Sequence, residues 1–358
     1  MARLAWAMVI LTACGRLSFD EARPDAAPAT PNRAFVSIAN QPGGFGGPAV
    51  ADAVCAQEAR DAGLTGTFIA FMASAAMPDS RARLAGSSGY VLVDGTPVGN
   101  TAESMLDSLE VFNPISMQAD GTQVVSNGQS TWTGANQIGV YQPSDTCNDW
   151  SDSTTTFTGA GNNVHNASWS GGSAVPCDNL RRFLCFEIGH VATVAAVPTS
   201  GRLVFITVGK RTSALDVNAA DMMCSDEATA AGFPGTYRAA LTTSTASVES
   251  RFVVDSRPFI RVDGTFVASG DTFFTFANLT SMVHQLSDGS YTKESYWTGV
   301  TTSPQATAAT GQTCNDWTSF AMAADAPSGQ PSHTLGQQFW SALLNTCDQR
   351  LHFLCVQE

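Results

Sequence analysis

Cysteine is the residue type whose spacing in this chain indicates chemistry most directly. Nine cysteines are present, and eight form two sets of four, each member of the second set lying about 170 residues after its counterpart. The sets are Cys55, Cys147, Cys177 and Cys185, followed by Cys224, Cys314, Cys347 and Cys355. This register predicts a duplicated domain whose cysteines form disulfides after export to an oxidising compartment. Spacing alone leaves three connectivities open in each copy.

The ninth cysteine, Cys14, has no counterpart and follows a short apolar segment. Arg3 precedes the apolar run from Leu4 to Leu11, which continues as Leu-Thr-Ala-Cys at positions 11–14. A basic start, an apolar stretch and small residues before the cleavage point are typical of a secretory signal. With a cysteine at that point, the segment predicts a bacterial lipoprotein with signal peptide 1–13 and a lipid on Cys14. An ordinary signal peptide with an incidental cysteine is the alternative.

The charge of the chain argues against polyanionic partners. The formal net charge is −13 at pH 7, whereas nonspecific binding to nucleic acid or sulfated glycans depends on clustered Lys and Arg. The nearest candidates are two pairs, Arg181-Arg182 and Lys210-Arg211. No later run reaches the roughly 20 apolar residues that span a bilayer. We therefore expect no nucleic-acid binding, and membrane attachment through the lipid only.

Proline and glycine mark two linkers. Residues 14–33 contain three prolines without apolar periodicity and are predicted to form a flexible tether. Residues 188–202 contain Gly189, Pro198 and Gly201 and form the second predicted linker. The domains predicted between and after these linkers are 34–187 and 203–358, each about 155 residues and long enough to bury a core.

Both copies share the same order of predicted elements. Each opens with a strand rich in apolar and β-branched residues, at 34–38 and 204–208, followed by an alanine-rich helix at 48–62 and 218–231. Gly63 and Gly232 are plausible helix stops. A second, shorter helix is expected next, followed by short strands and long loops. This order predicts an α+β fold for each copy.

Several short motifs recur with the cysteines. They are Gly63 to Ala70 with Gly232 to Ala239, Trp132-Thr133-Gly134 with Trp297-Thr298-Gly299, Cys147-Asn148-Asp149-Trp150 with Cys314-Asn315-Asp316-Trp317, and the closing Leu184-Cys185 with Leu354-Cys355. Together with the helix cysteine, these motifs resemble the endostatin-like branch of the C-type lectin-like fold. A bacterial lipoprotein family of unknown function shares the pattern. The resemblance covers both copies nearly end to end.

The resemblance implies a nested disulfide pairing, first to fourth and second to third. The pairs would be Cys55–Cys185, Cys147–Cys177, Cys224–Cys355 and Cys314–Cys347. The outer pair is also favourable energetically, because a bridge from the first helix to the last strand closes a loop of about 130 residues, worth roughly 4–5 kcal/mol in the chain-entropy model.

Calcium binding is a minority hypothesis for Asp149 and Asp316. Calcium prefers about six to eight oxygen ligands, which lectins of this fold supply from a Glu-Pro-Asn or Gln-Pro-Asp loop and a Trp-Asn-Asp strand. The first copy offers only Gln142-Pro143-Ser144, and the Asn-Asp pairs follow a cysteine. We therefore interpret Cys-Asn-Asp-Trp as a structural turn and expect no metal or cofactor.

A possible ligand loop lies between the second and third cysteines of each copy. His165 and His333 occupy similar places there, followed by Trp169 and Trp340. An aromatic face stacks on sugar rings, and a neighbouring polar group fixes the orientation. The alternative is a loop histidine beside a core tryptophan. No histidine pair has the spacing of a zinc site.

These observations predict a noncatalytic surface protein that binds a glycan or a protein partner through the long loops of two domains. A structural envelope protein without a small ligand is the alternative. A hydrolase is a third hypothesis, although no Gly-x-Ser-x-Gly element or other catalytic set is visible. In some Gram-negative bacteria, an aspartate directly after the lipidated cysteine causes retention in the inner membrane. This chain has Gly15 at that position, so we expect the lipoprotein to lie in the outer membrane.

Overall fold

The computed structural model describes residues 29–124, 130–155, 158–160, 164–172, 174–322 and 324–358. The predicted signal peptide, the lipidation site Cys14 and most of the tether lie outside the described residues.

Within these ranges, the first repeat contains short strands and two right-handed α-helices, and each repeat also has a left-handed helical turn, at Cys147–Trp150 and Cys314–Trp317. The strands are β1 (Asn32–Val36), β2 (Thr67–Ala70), β3 (Tyr90–Val91), β4 (Pro97–Gly99), β5 (Thr158–Ala160), β6 (Ala174–Pro176) and β7 (Leu184–Ile188). The helices are α1 (Pro48–Asp61) and α2 (Ala102–Asp107), with 3₁₀ turns at Ser80–Leu84 and Pro143–Asp145.

The second repeat follows the same order. Its strands are β8 (Arg202–Ile206), β9 (Tyr237–Ala239), β10 (Phe259–Ile260), β11 (Phe266–Ala268), β12 (Tyr296–Trp297), β13 (Asp325–Gly329), β14 (Leu343–Thr346) and β15 (His352–Gln357). Its helices are α3 (Val217–Ala230), α4 (Gly270–Phe273) and α5 (Gly336–Trp340), with 3₁₀ turns at Glu249–Arg251 and Thr310–Gln312.

Each repeat is built on a mixed sheet in which its first and last strands are neighbours. The strand order is β2-β7-β1-β3-β4 in the first repeat. In the second it is β11-β10-β8-β15-β12-β13-β14, with β9 also paired to β15. β1 runs antiparallel to β7 and parallel to β3, and β8 repeats this with β15 and β10. The predicted α+β class is therefore confirmed.

The opening strands are buried on both faces, which explains their continuous apolar sequence. Because successive strand residues point to opposite faces, Ala34 and Val36 enter one core while Phe35 enters the other. The Phe35 core contains the buried face of α1 and the disulfides. The opposite core contains Met282 of the second repeat, so it continues across the boundary between the repeats.

The four disulfides have the nested pairing that the resemblance implies. Cys55 pairs with Cys185 and Cys147 with Cys177 in the first repeat. The second repeat has the corresponding pairs, Cys224–Cys355 and Cys314–Cys347. The outer bridge joins the first helix to the last strand, and the inner bridge closes the loop region before that strand.

The first predicted helix of each repeat is confirmed, and the expected second, shorter helix is a 3₁₀ turn, at Ser80–Leu84 in the first repeat and Glu249–Arg251 in the second. Cys55 lies on the buried face of α1 together with Ala51 and Ala59, at the four-residue spacing of one helix face. The segment after Gly63 forms β2, which pairs along the closing strand β7. Phe68 and Ala70 are buried while Thr67 is exposed, as expected for a strand whose side chains alternate between two faces.

Candidate functional site

The repeated Cys-Asn-Asp-Trp segments form helical turns of left-handed sense. The φ angles from Cys147 to Trp150 are 52°, 54°, 53° and 67°, and those from Cys314 to Trp317 are 52°, 56°, 52° and 64°. L-residues adopt this conformation at a cost of about 1–2 kcal/mol each. Four in succession therefore require strong support from their surroundings.

Tertiary contacts supply that support in the first repeat. Cys147 is held by its disulfide, and buried Trp150 donates from Nε1 to the carbonyl of Ala73 at 2.9 Å. The Trp-Thr-Gly motif is part of the same arrangement, since Gly134 has a φ of +63° and a Cβ there would lie 2.5 Å from the Trp150 ring. Trp317 and Gly299 repeat this packing.

The two aspartates suggested for calcium hold neighbouring loops. Asp149 accepts a hydrogen bond from the Ala75 amide at 2.9 Å. Asp316 accepts from the amide and hydroxyl of Ser244, at 2.8 and 2.6 Å. Across the described ranges, the structure shows no group of three or more His, Cys, Asp or Glu residues arranged to hold a metal ion.

Replacing Asp316 with alanine is expected to lower the free energy of unfolding by about 2 kcal/mol, because the Ser244 amide and hydroxyl lose a charged acceptor. Asp149→Ala is the matched variant and should cost about half as much, because Asp149 is exposed and has one such contact. Urea denaturation of both variants measures the difference. Equal losses would contradict this role for Asp316.

The contribution of Asp316 to the free energy of unfolding is also expected to depend on pH. Burial acts to raise the pKa of Asp316, but hydrogen bonds from Ser244 and Thr313 outweigh it and hold that pKa below its ordinary value. The contribution is therefore fully present above the unfolded pKa of about 4 and is lost as the pH falls through the folded pKa. The stability difference between wild type and Asp316→Ala should shrink in acid.

Both tryptophans of the predicted ligand loop are core residues. Trp169 is 1% exposed and Trp340 is 0% exposed. The Trp169 ring packs edge-on against Phe71 with centroids 4.7 Å apart, and Trp340 donates from Nε1 to the Phe273 carbonyl at 3.1 Å. Neither ring face is open to a ligand, so the stacking role is corrected in favour of the core alternative.

The two histidines of that loop lie where the repeats meet. The Asn166 side chain is 2.9 Å from Nε2 of His333, and the Thr334 amide donates to the His165 carbonyl at 2.9 Å. Burial, helped by nearby His165, lowers the pKa of His333 to about 4. Burial also lowers the pKa of His165. Both imidazoles are therefore neutral at pH 7 and take part in packing between the repeats.

The contacts between repeats are reciprocal. Because His165 matches His333, the side-chain contacts His165–Thr334 and Asn166–His333 correspond to each other, one made from each side. Asn113 and Ser281 hold equivalent positions in their repeats, and their side chains hydrogen-bond to each other. Such reciprocal contacts, in which position i of each unit contacts position j of the other, are typical of two-fold packing. The repeats thus associate like the subunits of a dimer, with their long loops facing inward.

One half of this interface is filled by an arginine of the second repeat. Arg261 is 0% exposed, and its guanidinium forms an ion pair with Asp263 at 2.7 Å. It also donates to the carbonyls of Val111 and Phe112 in the first repeat, at 3.2 and 3.3 Å. This one side chain therefore links the repeats through polar contacts.

The other half of the interface contains a cavity of about 420 Å³. It is lined by Leu92, Asp94, Thr96, Asn113, Pro114, Ser116, Gln123, Val124, His165, Asn278, Leu279 and Thr280. Carboxylate, hydroxyl, amide and imidazole groups thus converge in a space of ligand size. Of these residues, the sequence predicts only His165 as part of a ligand site. The feature of the sequence that could have indicated the cavity is the alignment of Leu92 with Arg261 in the otherwise similar segments 90–95 and 259–264.

A larger depression of about 630 Å³ beside α3 is less suited to recognition. Among the described residues, two carboxylates line it. Glu227 already accepts hydrogen bonds from the amides of Val208 and Gly209 and from the Ser287 hydroxyl, and Asp288 accepts from the amide and hydroxyl of Ser290. Because these carboxylates already accept hydrogen bonds from the protein, the depression offers few free polar groups to a ligand.

Comparison with protein-family models and with curated proteins gave no match to this chain. Along the described ranges, no helix combines the length and apolar character needed to cross a bilayer.

Proposed function

We propose that this protein is a noncatalytic recognition lipoprotein of the bacterial envelope, built from two C-type lectin-like domains of the endostatin-like branch. It is anchored by lipid at Cys14, in the outer membrane, and binds a glycan or a protein partner. The domains correspond to residues 34–187 and 203–358, joined by 188–202.

The cavity between the repeats is the observation that carries this proposal. The long loops that would bind ligands in a lectin-like domain face each other here. A ligand that uses these loops therefore has to enter between them. The cavity on the first-repeat side has the volume and the convergent polar groups of a ligand site.

A structural envelope protein is the second candidate, and the burial of Trp169 and Trp340 favours it. In that role the inward-facing loops would serve only to join the repeats. The exposed surface would then pack on other envelope components without a small ligand.

Binding arrays distinguish the two candidates. The purified, oxidised protein is applied to glycans, cell-wall polysaccharides and peptides, in calcium and again in chelator. Recognition predicts binding to a restricted set of probes that is unchanged by chelator, because Asp149 and Asp316 are engaged with backbone amides. Calcium-dependent binding would contradict that assignment. Absence of binding to every probe would favour the structural role.

A further inference from the structure

We infer that the cavity between the repeats binds a guanidinium group, the functional group of an arginine side chain. This inference rests on the proposed recognition function and adds the chemistry of the ligand. It follows from comparing the two halves of the pseudo-symmetric interface, one filled by the protein itself and the other open.

The two halves match closely in backbone structure. The Leu92 amide donates to the Thr96 carbonyl at 2.8 Å, and the Arg261 amide donates to the Thr265 carbonyl at 2.9 Å. The turn carboxylates correspond as well, since Asp94 accepts from the Thr96 amide and Asp263 from the Thr265 amide, both at 2.9 Å. Arg261 therefore stands in the second repeat where Leu92 stands in the first.

In the second repeat, acceptors surround the Arg261 guanidinium on several sides. In addition to Asp263 and the two carbonyls of the first repeat, it contacts the Thr265 hydroxyl at 3.2 Å and the Met282 carbonyl at 3.3 Å. His284 Nδ1 lies at 3.3 Å, and the guanidinium carbon is 5.6 Å from the Tyr291 ring centroid. Carboxylate, carbonyl and hydroxyl oxygens here form a cage suited to a planar cation with several N–H donors.

Each oxygen group of this cage has a counterpart in the first-repeat cavity. The positions equivalent to Asp263, Thr265, Met282, Val111 and Phe112 are Asp94, Thr96, Pro114, Leu279 and Thr280, and all five line the cavity. The pairing of the last three follows from backbone bonds. The Phe112 amide donates to the Val98 carbonyl, and in the second repeat the Thr280 amide donates to the Val267 carbonyl. Likewise, the Val124 amide donates to the Ser116 carbonyl, and the Thr292 amide donates to the His284 carbonyl.

The side chains that fill the second-repeat half are replaced by smaller or apolar ones. Leu92 takes the place of Arg261, Ser116 that of His284, and Gln123 that of Tyr291. The space left open is the cavity, and the group missing from it is the guanidinium. Asp94 is exposed, so a guanidinium can approach its carboxylate from solvent.

The local charge is also suited to a cation. Among the described residues that line the cavity there is no lysine or arginine, and His165 is neutral at pH 7 because burial lowers its pKa. Asp94 is the acidic residue of the lining, and the whole chain carries a net charge of −13. A neutral sugar would leave the Asp94 carboxylate without a charged partner, whereas a guanidinium pairs with it through two parallel hydrogen bonds.

Isothermal titration calorimetry of the full protein tests this inference with N-acetyl-arginine amide. The neutral control is N-acetyl-citrulline amide, which has nearly the same shape. The expected result is binding of the arginine compound at least about tenfold tighter than the citrulline compound. An arginine-containing tripeptide is the second probe. Tighter binding of the tripeptide would assign the guanidinium to a protein partner, and equal binding would assign it to a small molecule.

Three variants locate the site. Asp94→Asn should weaken arginine binding about tenfold or more, because it removes the charged acceptor. Asp120→Asn is the matched control and should bind normally, since Asp120 makes the same turn contact with the residue two positions on but does not line the cavity. Leu92→Arg should abolish binding by filling the cavity as Arg261 fills the other half.

Equal affinity for the arginine and citrulline compounds would overturn the inference. Unchanged binding in Asp94→Asn would also overturn it, and that variant remains informative if Leu92→Arg fails to fold. Failure of both arginine probes, combined with binding to a glycan on the arrays, would reject the guanidinium site and leave the recognition function standing.

Discussion

Removal of the Cys55–Cys185 disulfide, by alanine at both positions, is expected to lower the free energy of unfolding by about 5 kcal/mol. The bridge spans 130 residues and ties α1 to β7, the strand that pairs with both β1 and β2. Without it, the unfolded chain gains the entropy of a loop nearly as long as the domain. Urea denaturation under nonreducing conditions measures this loss.

The inner disulfide provides the comparison. The Cys147–Cys177 bridge spans only 30 residues, so its removal is expected to cost about 3.5 kcal/mol in the same model. Its loss also lets the left-handed turn at Cys147 relax, which offsets part of the cost. A greater loss of stability from the inner pair than from the outer pair would contradict this assignment of roles.

Replacement of Arg261 by alanine is expected to lower the free energy of unfolding by about 3–5 kcal/mol. The variant leaves the Asp263 carboxylate and the Val111 and Phe112 carbonyls without their donor in a buried interface. It also leaves a void where the side chain lay. Because the lost contacts join the repeats, the loss should be accompanied by faster hydrogen exchange of backbone amides in the facing loops.

Arg257→Ala is the matched control for Arg261→Ala. Arg257 also pairs with an aspartate two residues away, Asp255, but its side chain is 55% exposed. Exposed pairs contribute at most about 1 kcal/mol, so this variant should unfold almost as wild type does. Similar losses for the two variants would show that Arg261 does not join the repeats.

Local patterns predicted much of the fold. The opening strands lie at Asn32–Val36 and Arg202–Ile206, two residues before the predicted 34–38 and 204–208, and the residues common to both ranges are apolar because both faces are buried. The alanine-rich helices place Cys55 and Cys224 toward the core at helical spacing. These features depend on residues close in sequence, so periodicity reveals them.

Features that depend on distant residues were beyond sequence reasoning. Asn148 and Asp149 favour a turn locally, but the succession of four left-handed residues at Cys147–Trp150 is held by a disulfide and by the hydrogen bond from Trp150 to the Ala73 carbonyl. The sequence left Trp169 and Trp340 open between a ligand loop and the core, since tryptophan serves in both.

The site between the repeats was missed for a similar reason. Arg261 and Leu92 occupy matching positions directly after β10 and β3, but only the packing of the repeats shows that Arg261 fills a polar cage and Leu92 borders a cavity. His165 was identified from its position in the repeat, and its role depends on contact with Thr334 across the interface.

Differential scanning calorimetry tests the central claim that the two repeats form one unit through a pseudo-two-fold interface. We expect a single transition for the oxidised protein, with equal calorimetric and van't Hoff enthalpies, and partial separation into two transitions in Arg261→Ala. Two independent transitions in the wild-type protein, unaffected by Arg261→Ala, would contradict the claim and show that the repeats fold and unfold as separate domains.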